Sequence, residues 1–374
     1  MDLDYSEEQL LLRNSAEKFL GAEYDFARRQ KIAASPAGWS EAVWSQFAEL
    51  GWLALPLPEA AGGLGGGAVE LGLLMEAFGK ALVLEPYLAS VVLGAGAVAA
   101  LGEPAQQDAL LPAVAEGRLR LAFAHDERAA VTAERQGPGW RLEGRKVNVL
   151  SAAASDYLVV SARAGGGQAL FVVPAAAQGV SIEPYAILDG SRAADVALSG
   201  VTVGADALLG RREDASEVIA AVIDRAIVAL ASDTLGALTV LVDATVEYSK
   251  TRVQFGKPIG TFQALQHRMA EMAVLREEAR AVVLFAMLNA DASPVARARA
   301  ASAAKVKVGR SARTIAEQAI QIHGAMGVTD ELNIGAYFKR VLTFEMLFGS
   351  FDRHLARYAA LARETGFVGN SLAA

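Results

Sequence analysis

The richest concentration of hydrogen-bonding side chains lies in residues 248–272, which read YSKTRVQFGKPIGTFQALQHRMAEM. Arg252 ends one predicted helix, and Gln263 and Gln266 lie in the first turn of the next. An arginine fork can bind a pyrophosphate through two parallel hydrogen bonds, and a helix N-terminus favours the same anion. Phe255 could stack on a planar ring. These residue types favour a site for a large anionic ligand; the alternative is a helix-terminal arginine beside an ordinary turn.

A second candidate cluster is QIHGAMGVTDE, residues 321–331. It again places polar side chains at the end of a predicted helix, before two glycines. His323 by itself is interpreted as a structural histidine with satisfied hydrogen bonds, rather than as a metal ligand or a base. The glycine-rich residues 56–67 lack the lysine and Ser/Thr of a P-loop, so they are predicted to form a flexible loop between helices.

The composition excludes several classes of function. The chain has 374 residues, of which 53% are hydrophobic, and a formal net charge of -7. It can therefore bury a large core, but it offers no basic surface field for nucleic acid. It contains no cysteine, which excludes disulfides, thiolate catalysis and cysteine-ligated metal centres. Its four histidines are scattered, so no metal site is predicted.

No membrane insertion is predicted either. The acidic beginning of the sequence does not resemble a secretory signal. Residues 89–101 are apolar but too short to span a bilayer, and the longer apolar residues 218–246 are interrupted by charged side chains. We therefore expect a soluble, cytoplasmic protein.

The elements that would position the candidate residues fall into three predicted domains. Residues 1–117 have a helical pattern that opens with a capping box of Ser6 and Gln9. Residues 118–212 carry short Val-, Leu- and Phe-rich runs separated by Gly, Pro and Asp, which predicts an antiparallel sheet or barrel. Residues 213–374 predict a bundle of four long helices, at residues 217–250, 262–289, 293–323 and 333–361. The predicted fold class is mainly α with a central β domain.

The 248–272 stretch resembles a family signature. It fits, without a gap, the acyl-CoA dehydrogenase pattern Tyr-x-x-x-Arg-x-x-Phe-Gly-x-x-Ile-x-x-Phe-Gln-x-x-Gln-x-x-x-Ala-x-Met. QIHGAMGV is similar to the family's Gln-x-x-Gly-Gly-x-Gly segment. The helix–β–helix order also matches, so the resemblance covers essentially the whole chain. It implies an N-terminal helical domain, a middle β domain and a C-terminal four-helix bundle.

The resemblance implies that FAD is held at a subunit interface. In such enzymes, the residues that match the 248–272 stretch reach the FAD of a neighbouring subunit. The residues that match the 321–325 stretch also reach that FAD, near its adenine end. The cofactor-binding residues expected from the two motifs are Arg252, Phe255, Gln263, Gln266, Gln321, Gly324 and Ala325.

The resemblance also implies a reaction. A carboxylate removes the α-proton of an acyl-CoA thioester, a hydride passes from the β-carbon to the flavin, and an electron-transfer flavoprotein accepts the electrons. FAD performs the redox chemistry, and the protein supplies positioning and a base.

Both usual positions of the catalytic glutamate carry other residues. In EMLFGSFDRH the glutamate of the family's aromatic-Glu-Gly-Thr turn corresponds to Phe348, and the alternative position on the first bundle helix corresponds to Ala226. Losing the base would slow proton abstraction by about 10²- to 10⁴-fold or more. The candidates for a relocated base are Asp352, roughly one helical turn beyond Phe348, Asp224 or Asp233 on the first bundle helix and, as a weaker candidate, Glu345. Each of them is interpreted more readily as a surface or structural carboxylate, and Asp352 is kept as the candidate catalytic residue.

The β domain departs from the family pattern as well. AHDERAAV, residues 124–131, replaces the usual flavin loop. The family's Trp-Ile-Thr/Ser segment beside the flavin corresponds to NVLS, residues 148–151, which makes Ser151 an expected cofactor contact. The stretches GRKVNVLSAAASDYLVVSAR and FGSFDRHLARYA resemble the small subunits of paired acyl-CoA dehydrogenases of the pimeloyl-CoA and steroid-side-chain type. In those enzymes two different subunits form an α2β2 tetramer and share each site.

The leading hypothesis is a subunit of an FAD-dependent acyl-CoA dehydrogenase acting on a bulky or dicarboxylic acyl group. It would work as a homo-oligomer or in an α2β2 heterotetramer with a second acyl-CoA dehydrogenase subunit. The alternatives are a non-catalytic subunit that completes a partner's FAD site, and a flavin monooxygenase or oxidase on the same fold.

Overall fold

The computed structural model describes residues 4–125 and 130–364. Within these residues the chain divides into two compact units: a helical unit drawn from residues 4–29, 68–83 and 227–364, and a mixed unit drawn from residues 30–67, 84–125 and 130–226. The described α-helices are α1 (Glu7–Glu23), α2 (Phe26–Ala34), α3 (Glu41–Glu49), α4 (Ala68–Ala81), α5 (Gly96–Leu101), α6 (Pro104–Ala115), α7 (Ser216–Thr251), α8 (Gln263–Leu288), α9 (Pro294–His323), α10 (Ile334–Met346) and α11 (Phe351–Glu364), and a π-helix spans Leu88–Ala95.

Helix α1 begins at the predicted capping box. The Ser6 hydroxyl accepts from the Gln9 N–H at 3.2 Å, and the Gln9 side-chain oxygen accepts from the Ser6 N–H at 3.0 Å. Two N–H groups that a helix start leaves without intrahelical partners are thereby satisfied. The predicted beginning of the first helix is confirmed.

Helices α4 and α7 pack at backbone distance through two glycines. A Cβ atom added at Gly79 would lie 1.7 Å from the Asp233 carbonyl oxygen, and one added at Gly236 would lie 2.0 Å from the Glu76 carbonyl oxygen. Each helix therefore presents a glycine to the other's backbone, and no larger residue fits at either position without separating the helices.

The carboxylate of Asp233 has a structural role in the same unit. The Arg340 guanidinium on α10 donates to both of its oxygens, at 2.8 and 2.9 Å, and also to the Val83 carbonyl at 3.0 Å. The Asp233 side chain is 1% exposed. A buried carboxylate engaged by a guanidinium fork is committed to that pair, which removes Asp233 from the candidate bases.

The mixed unit contains a seven-stranded sheet. Its strands are β1 (Leu121–Ala124), β2 (Val131–Gln136), β3 (Gly139–Leu150), β4 (Tyr157–Ala164), β5 (Gly167–Pro174), β6 (Val180–Ala186) and β7 (Arg192–Val203). They are ordered β1-β4-β2-β3-β7-β6, with β5 paired to β4. Most pairings are antiparallel, as predicted, but β1 and β2 each run parallel to β4. The predicted fold class, mainly α with a central β domain, is confirmed; the domain boundaries 1–117, 118–212 and 213–374 stay predictions.

Among the described residues, one helix is long and apolar enough to cross a membrane by composition. It is α7, and 83% of its most apolar window is buried inside the protein. Burial of that kind identifies a core helix, whose apolar surface faces other helices.

The fourth predicted bundle helix, residues 333–361, is wrong as one element. It is two helices, α10 and α11, separated at Leu347–Ser350. Phe348 has φ 57° and Gly349 has φ 103°, neither of which continues a right-handed helix. The apolar periodicity continues on both sides of the break and therefore did not indicate it. Gly349 was the one residue in the sequence that could have indicated the end of a helix.

A buried lysine from α9 holds this turn. The Lys305 ammonium donates to the carbonyls of Phe344 and Leu347, the latter at 2.6 Å, and lies 4.1 Å from the centre of the Phe344 ring. Its cation thus meets the carbonyl end of α10, where the helix dipole favours positive charge. Burial lowers the pKa of Lys305 to about 7, although the nearby Glu345 carboxylate opposes the shift.

The α4–α7 packing yields a stability prediction. Gly79→Ala forces a methyl group into the Asp233 backbone, so we expect the free energy of unfolding to fall by about 1–3 kcal/mol. Gly21→Ala on α1 is the matched control, because nothing lies within 4 Å of the added Cβ, and alanine is the better helix former. Urea denaturation followed by circular dichroism measures both. Equal stability of the two variants would contradict the packing argument.

Lys305 yields a pH prediction. Between its folded pKa of about 7 and its ordinary value of 10.5, the unfolded chain binds a proton that the folded chain does not. The free energy of unfolding of the wild type should therefore rise with pH across this window, by up to about 1.4 kcal/mol per pH unit. Lys305→Met lacks the titrating group, so the wild-type minus variant difference in urea denaturation, measured from pH 6 to pH 9, isolates the effect. A flat difference would refute it.

Candidate functional site

A short hairpin follows α7 in the helical unit. Strands β8 (Val253–Gln254) and β9 (Lys257–Pro258) are joined by Phe255 and Gly256, with φ of 53° and 79°. Positive φ at both central residues is the tight hairpin turn that matches the twist of the strands. The Arg252 N–H still donates to the Tyr248 carbonyl at 2.9 Å, so this arginine closes the last turn of α7.

Phe255 occupies the tip of this hairpin and is 91% exposed. Its ring lies 6.1 Å from that of Phe262 in an edge-on arrangement, and the Lys257 ammonium lies 4.5 Å from the Phe262 ring. An aromatic residue held at positive φ is strained, and such strain persists where the surroundings fix it and concentrates at functional sites. The hairpin therefore presents a large flat ring to whatever approaches the surface.

The hydrogen-bonding groups predicted beside Phe255 are exposed with it. Arg252, Gln263 and Gln266 are all exposed. Gln266 donates to the Gly260 carbonyl at 2.9 Å, whereas within residues 4–125 and 130–364 the side chains of Arg252 and Gln263 have no partner. Helix α8 begins without a side-chain cap, so its first N–H groups are open to a ligand.

The structure joins the two sequence clusters through one aromatic pair. The rings of Tyr248 on α7 and His323 on α9 stack with centroids 4.3 Å apart and planes inclined by 26°. The Tyr248 hydroxyl lies 3.4 Å from the His323 carbonyl, to which it donates. Tyr248 was not among the predicted site residues, although it opens the motif; its role in bringing the clusters together is visible only in the fold.

His323 is buried and its hydrogen bonding is accounted for. Its Nδ1–H donates to the Ala319 carbonyl at 2.8 Å. Burial lowers the pKa of His323, while that hydrogen bond opposes the shift, so the ring is neutral at neutral pH. This is the structural histidine that the sequence suggested.

The residues after His323 lie at the exposed end of α9. Gln321, Gly324 and Ala325 are exposed, and Gly324 has φ 60° with nothing within 4 Å of an added Cβ. The glycine is required here by its backbone conformation, with ψ near -138°. A surface of small side chains and one amide therefore borders the stacked pair.

Ser151 belongs to the mixed unit. It has φ 52° and ψ 24°, and its N–H donates to the Arg192 carbonyl at 2.9 Å. Three residues earlier, Asn148 has φ 54°, next to a register irregularity between β3 and β7. The candidate segment 148–151 is thus an irregular end of a strand.

The carboxylates considered as bases lie in different surroundings. Asp352 is exposed in the first turn of α11. Glu345 receives hydrogen bonds from Arg313 at 3.2 and 3.3 Å, and Asp224 is 1% exposed. The described residues also contain no cluster of His, Cys, Asp or Glu suited to a metal ion.

Three family models match this chain. They are the acyl-CoA dehydrogenase N-terminal domain over residues 6–118, the middle domain over residues 125–201 and the C-terminal domain over residues 217–361. Among curated proteins, acyl-CoA dehydrogenase FadE12 of Mycobacterium tuberculosis is 30% identical, with 96% of this chain and 94% of the relative covered.

Solved structures agree in fold along nearly the whole chain. A variant of the Tcur3481-Tcur3483 steroid ACAD superposes with a TM-score of 0.88 at 32% identity, covering 96% of this chain and 98% of the other. The ChsE4-ChsE5 complex from Mycobacterium tuberculosis gives a TM-score of 0.91 at 26% identity, covering 98% and 100%. With three matching domains and a relative at 30% identity along its length, this chain belongs to the acyl-CoA dehydrogenase family of oxidoreductases.

Proposed function

We propose that the chain is a subunit of an FAD-dependent acyl-CoA dehydrogenase that introduces an α,β double bond into a bulky or dicarboxylic acyl-CoA. In this reaction the α-carbon loses a proton to a base, and the β-carbon loses a hydride to the cofactor. The observation that carries the proposal is the exposed group at the end of α7. Within the described part of the chain it combines an unpaired guanidinium, a strained aromatic ring and two glutamine amides beside an open helix start.

The chemistry of this group of residues fits a flavin dinucleotide. The Arg252 guanidinium suits a diphosphate, because it is charged at all physiological pH values and can donate two parallel hydrogen bonds. The Phe255 ring offers a stacking face, and the side chains of Gln263 and Gln321 supply amide donors and acceptors. The open backbone at Gly324 allows a close approach. FAD, when bound, would supply the acceptor for the hydride.

Exposure of these residues supports a site completed by another chain. Within the described residues, Phe255 packs only edge-on against Phe262, and most of its surface remains accessible. Burial of such a ring is favourable by about 1.5–3 kcal/mol. A dinucleotide held between two subunits would cover the ring and neutralise the guanidinium together.

We place the base on a second acyl-CoA dehydrogenase chain, in an α2β2 assembly. Phe348 and Ala226 occupy the two positions where the family carries glutamate, and Asp233 and Glu345 are engaged by arginines. The structurally similar Tcur3481-Tcur3483 steroid ACAD and ChsE4-ChsE5 complex, each named for two proteins, support this arrangement. Electron-transfer flavoprotein would reoxidise the cofactor, and the assembly would work in the cytoplasm.

A second function is favoured by the same missing carboxylates. The chain could be a non-catalytic subunit that completes the partner's FAD site through Arg252 and its neighbours and never binds acyl-CoA itself. In that case every catalytic group of the pair belongs to the partner chain, and this chain contributes affinity for the cofactor.

Arg252 provides the first test of the FAD site. Arg252→Ala removes two charge-assisted hydrogen bonds to the diphosphate, so we expect FAD binding to weaken by about 10- to 100-fold. Lys250→Ala is the control, because Lys250 lies on the same exposed helix end and pairs with Glu247. Fluorescence titration of the flavin-free protein with FAD, alone and with the partner, measures both. If both variants bind FAD like the wild type, the assignment of the site is wrong.

The position of the base provides the second test. The purified chain alone should not lose its visible flavin absorption when octanoyl-CoA or glutaryl-CoA is added without oxygen, whereas the complex with its partner should bleach with a thioester that it accepts. Asp352→Asn in the complex should leave the bleaching rate unchanged.

Two results would redirect the assignment. Bleaching by the chain alone, lost by about 10²-fold or more in Asp352→Asn, would make Asp352 the base. The second result concerns a complex that carries Arg252→Ala and is fully loaded with FAD. If acyl-CoA still bleaches its flavin at the wild-type rate, the role of this chain is to hold the cofactor and not to take part in the reaction.

A further inference from the structure

The segment 148–151 of the mixed unit is strained at both ends. Asn148 and Ser151 have φ of 54° and 52°, and they are two of only six non-glycine residues with positive φ among the described residues. L-amino acids rarely adopt this conformation, and it persists where neighbouring groups hold it in place. Asn148 and Ser151 are only three positions apart, so the contacts that hold both of them in this conformation need to be identified.

One carboxylate holds the Asn148 end. Asp195 on β7 lies opposite the register irregularity between Lys146 and Val149 of β3. Its Oδ1 accepts from the Asn148 N–H at 3.2 Å and lies 3.1 Å from the Tyr185 hydroxyl, and its Oδ2 accepts from the Arg145 guanidinium. The Tyr185 hydroxyl also lies 2.8 Å from the Asn148 side-chain oxygen, to which it can donate.

The same strand holds the Ser151 end. The Ser151 N–H donates to the carbonyl of Arg192, the first residue of β7. The Arg192 guanidinium in turn donates to the carbonyls of Ala33 and Ser35, each at 2.9 Å. Both strained residues are therefore tied to β7, one through a side chain and the other through the backbone.

The sheet contains an internal comparison for this arrangement. A second register irregularity between β3 and β7 lies between Leu142 and Gly144, where Glu143 accepts from the Gly200 N–H at 2.9 Å. There the residues with positive φ are glycines, Gly144 and Gly200, which adopt it without strain. At the irregularity beside Asp195 the residue with positive φ is Asn148, and asparagine adopts this conformation more readily than most residues that carry a side chain. Its side-chain oxygen lies 2.8 Å from the Tyr185 hydroxyl, a contact that a glycine could not make.

We propose that Asp195 and Tyr185 are positioning residues that fix the 148–151 segment in the conformation in which it would meet the flavin. The inference rests on the proposed function, because the family resemblance is what places this segment beside the cofactor. Asp195 is suited to the task at neutral pH: partial burial works against ionisation, but hydrogen bonds from Arg145, Asn148 and Tyr185 together lower the pKa of its carboxyl.

The test combines a readout of the segment with a readout of the flavin. Asp195→Ala removes the acceptor for the Asn148 N–H, and Tyr185→Phe removes one hydroxyl while preserving the ring, which protects the test against a folding failure. Glu143→Ala is the matched control at the second irregularity. The full chain, with its partner, is examined by hydrogen–deuterium exchange of residues 146–151 and by titration with FAD monitored by visible absorption.

We expect Asp195→Ala to speed exchange in residues 146–151 by about tenfold. It should also shift the bound flavin spectrum and weaken FAD binding by roughly threefold or more. Tyr185→Phe should change both in the same direction by less, and Glu143→Ala should change neither. Unchanged exchange in Asp195→Ala overturns the positioning role. Faster exchange with an unchanged flavin spectrum and affinity overturns the contact with the flavin.

The outcomes also separate this inference from the proposed function. If the wild-type assembly binds no FAD, the proposed function fails and the flavin contact fails with it, while the exchange measurement still decides whether Asp195 holds the segment. If FAD binds and Arg252→Ala weakens it but Asp195→Ala does not, the function stands and this inference is refuted.

Discussion

The stacked rings of Tyr248 and His323 are the contact on which the candidate site in the helical unit depends. They join the last turns of α7 and α9, which are separated by 75 positions in sequence. This contact links the helix that leads into the hairpin with Phe255 to the helix that ends before Gly324. The stack is worth about 0.5–1.5 kcal/mol beyond the area it buries, and it is supported by a histidine that burial keeps neutral.

Backbone strain follows the same positions as the family resemblance. Of the six described non-glycine residues with positive φ, Phe255 lies in the stretch that resembles the family signature, and Phe348 lies where the family pattern has a glutamate. Asn148 and Ser151 lie in the segment that the resemblance predicts to border the flavin. The other two, Leu82 and Arg211, lie in helix-terminal and loop positions. Strain of this kind is tolerated where neighbouring groups over-determine the conformation. At Phe348 the neighbours are Lys305 and His354, which donate to the carbonyls of Leu347 and Phe348.

The sequence predicted much of the fold because its patterns are local. The Ser6–Gln9 capping box, the apolar periodicity of α7 to α9 and the punctuated strands each depend on neighbouring residues, and each appears where expected. The break between α10 and α11 was missed, because a lysine 42 positions away holds it through the Leu347 carbonyl. Asp195 and Tyr185 carry no motif, and their importance lies in a register irregularity that only strand pairing reveals. Residue type and spacing were thus enough to find the candidate sites. The side chains that hold those sites in place could be found only from contacts in the structure.

The exposed hairpin tip affects how the chain behaves in solution before it assembles. Phe255 is 91% exposed and the nearby Val253 is 53% exposed, so the hairpin tip places apolar side chains on the surface of an acidic chain. The net charge of -7 opposes clustering of identical chains at low ionic strength, and salt weakens that protection. In the proposed assembly a second subunit covers this tip, so a chain that lacks its partner would keep this apolar surface in contact with water.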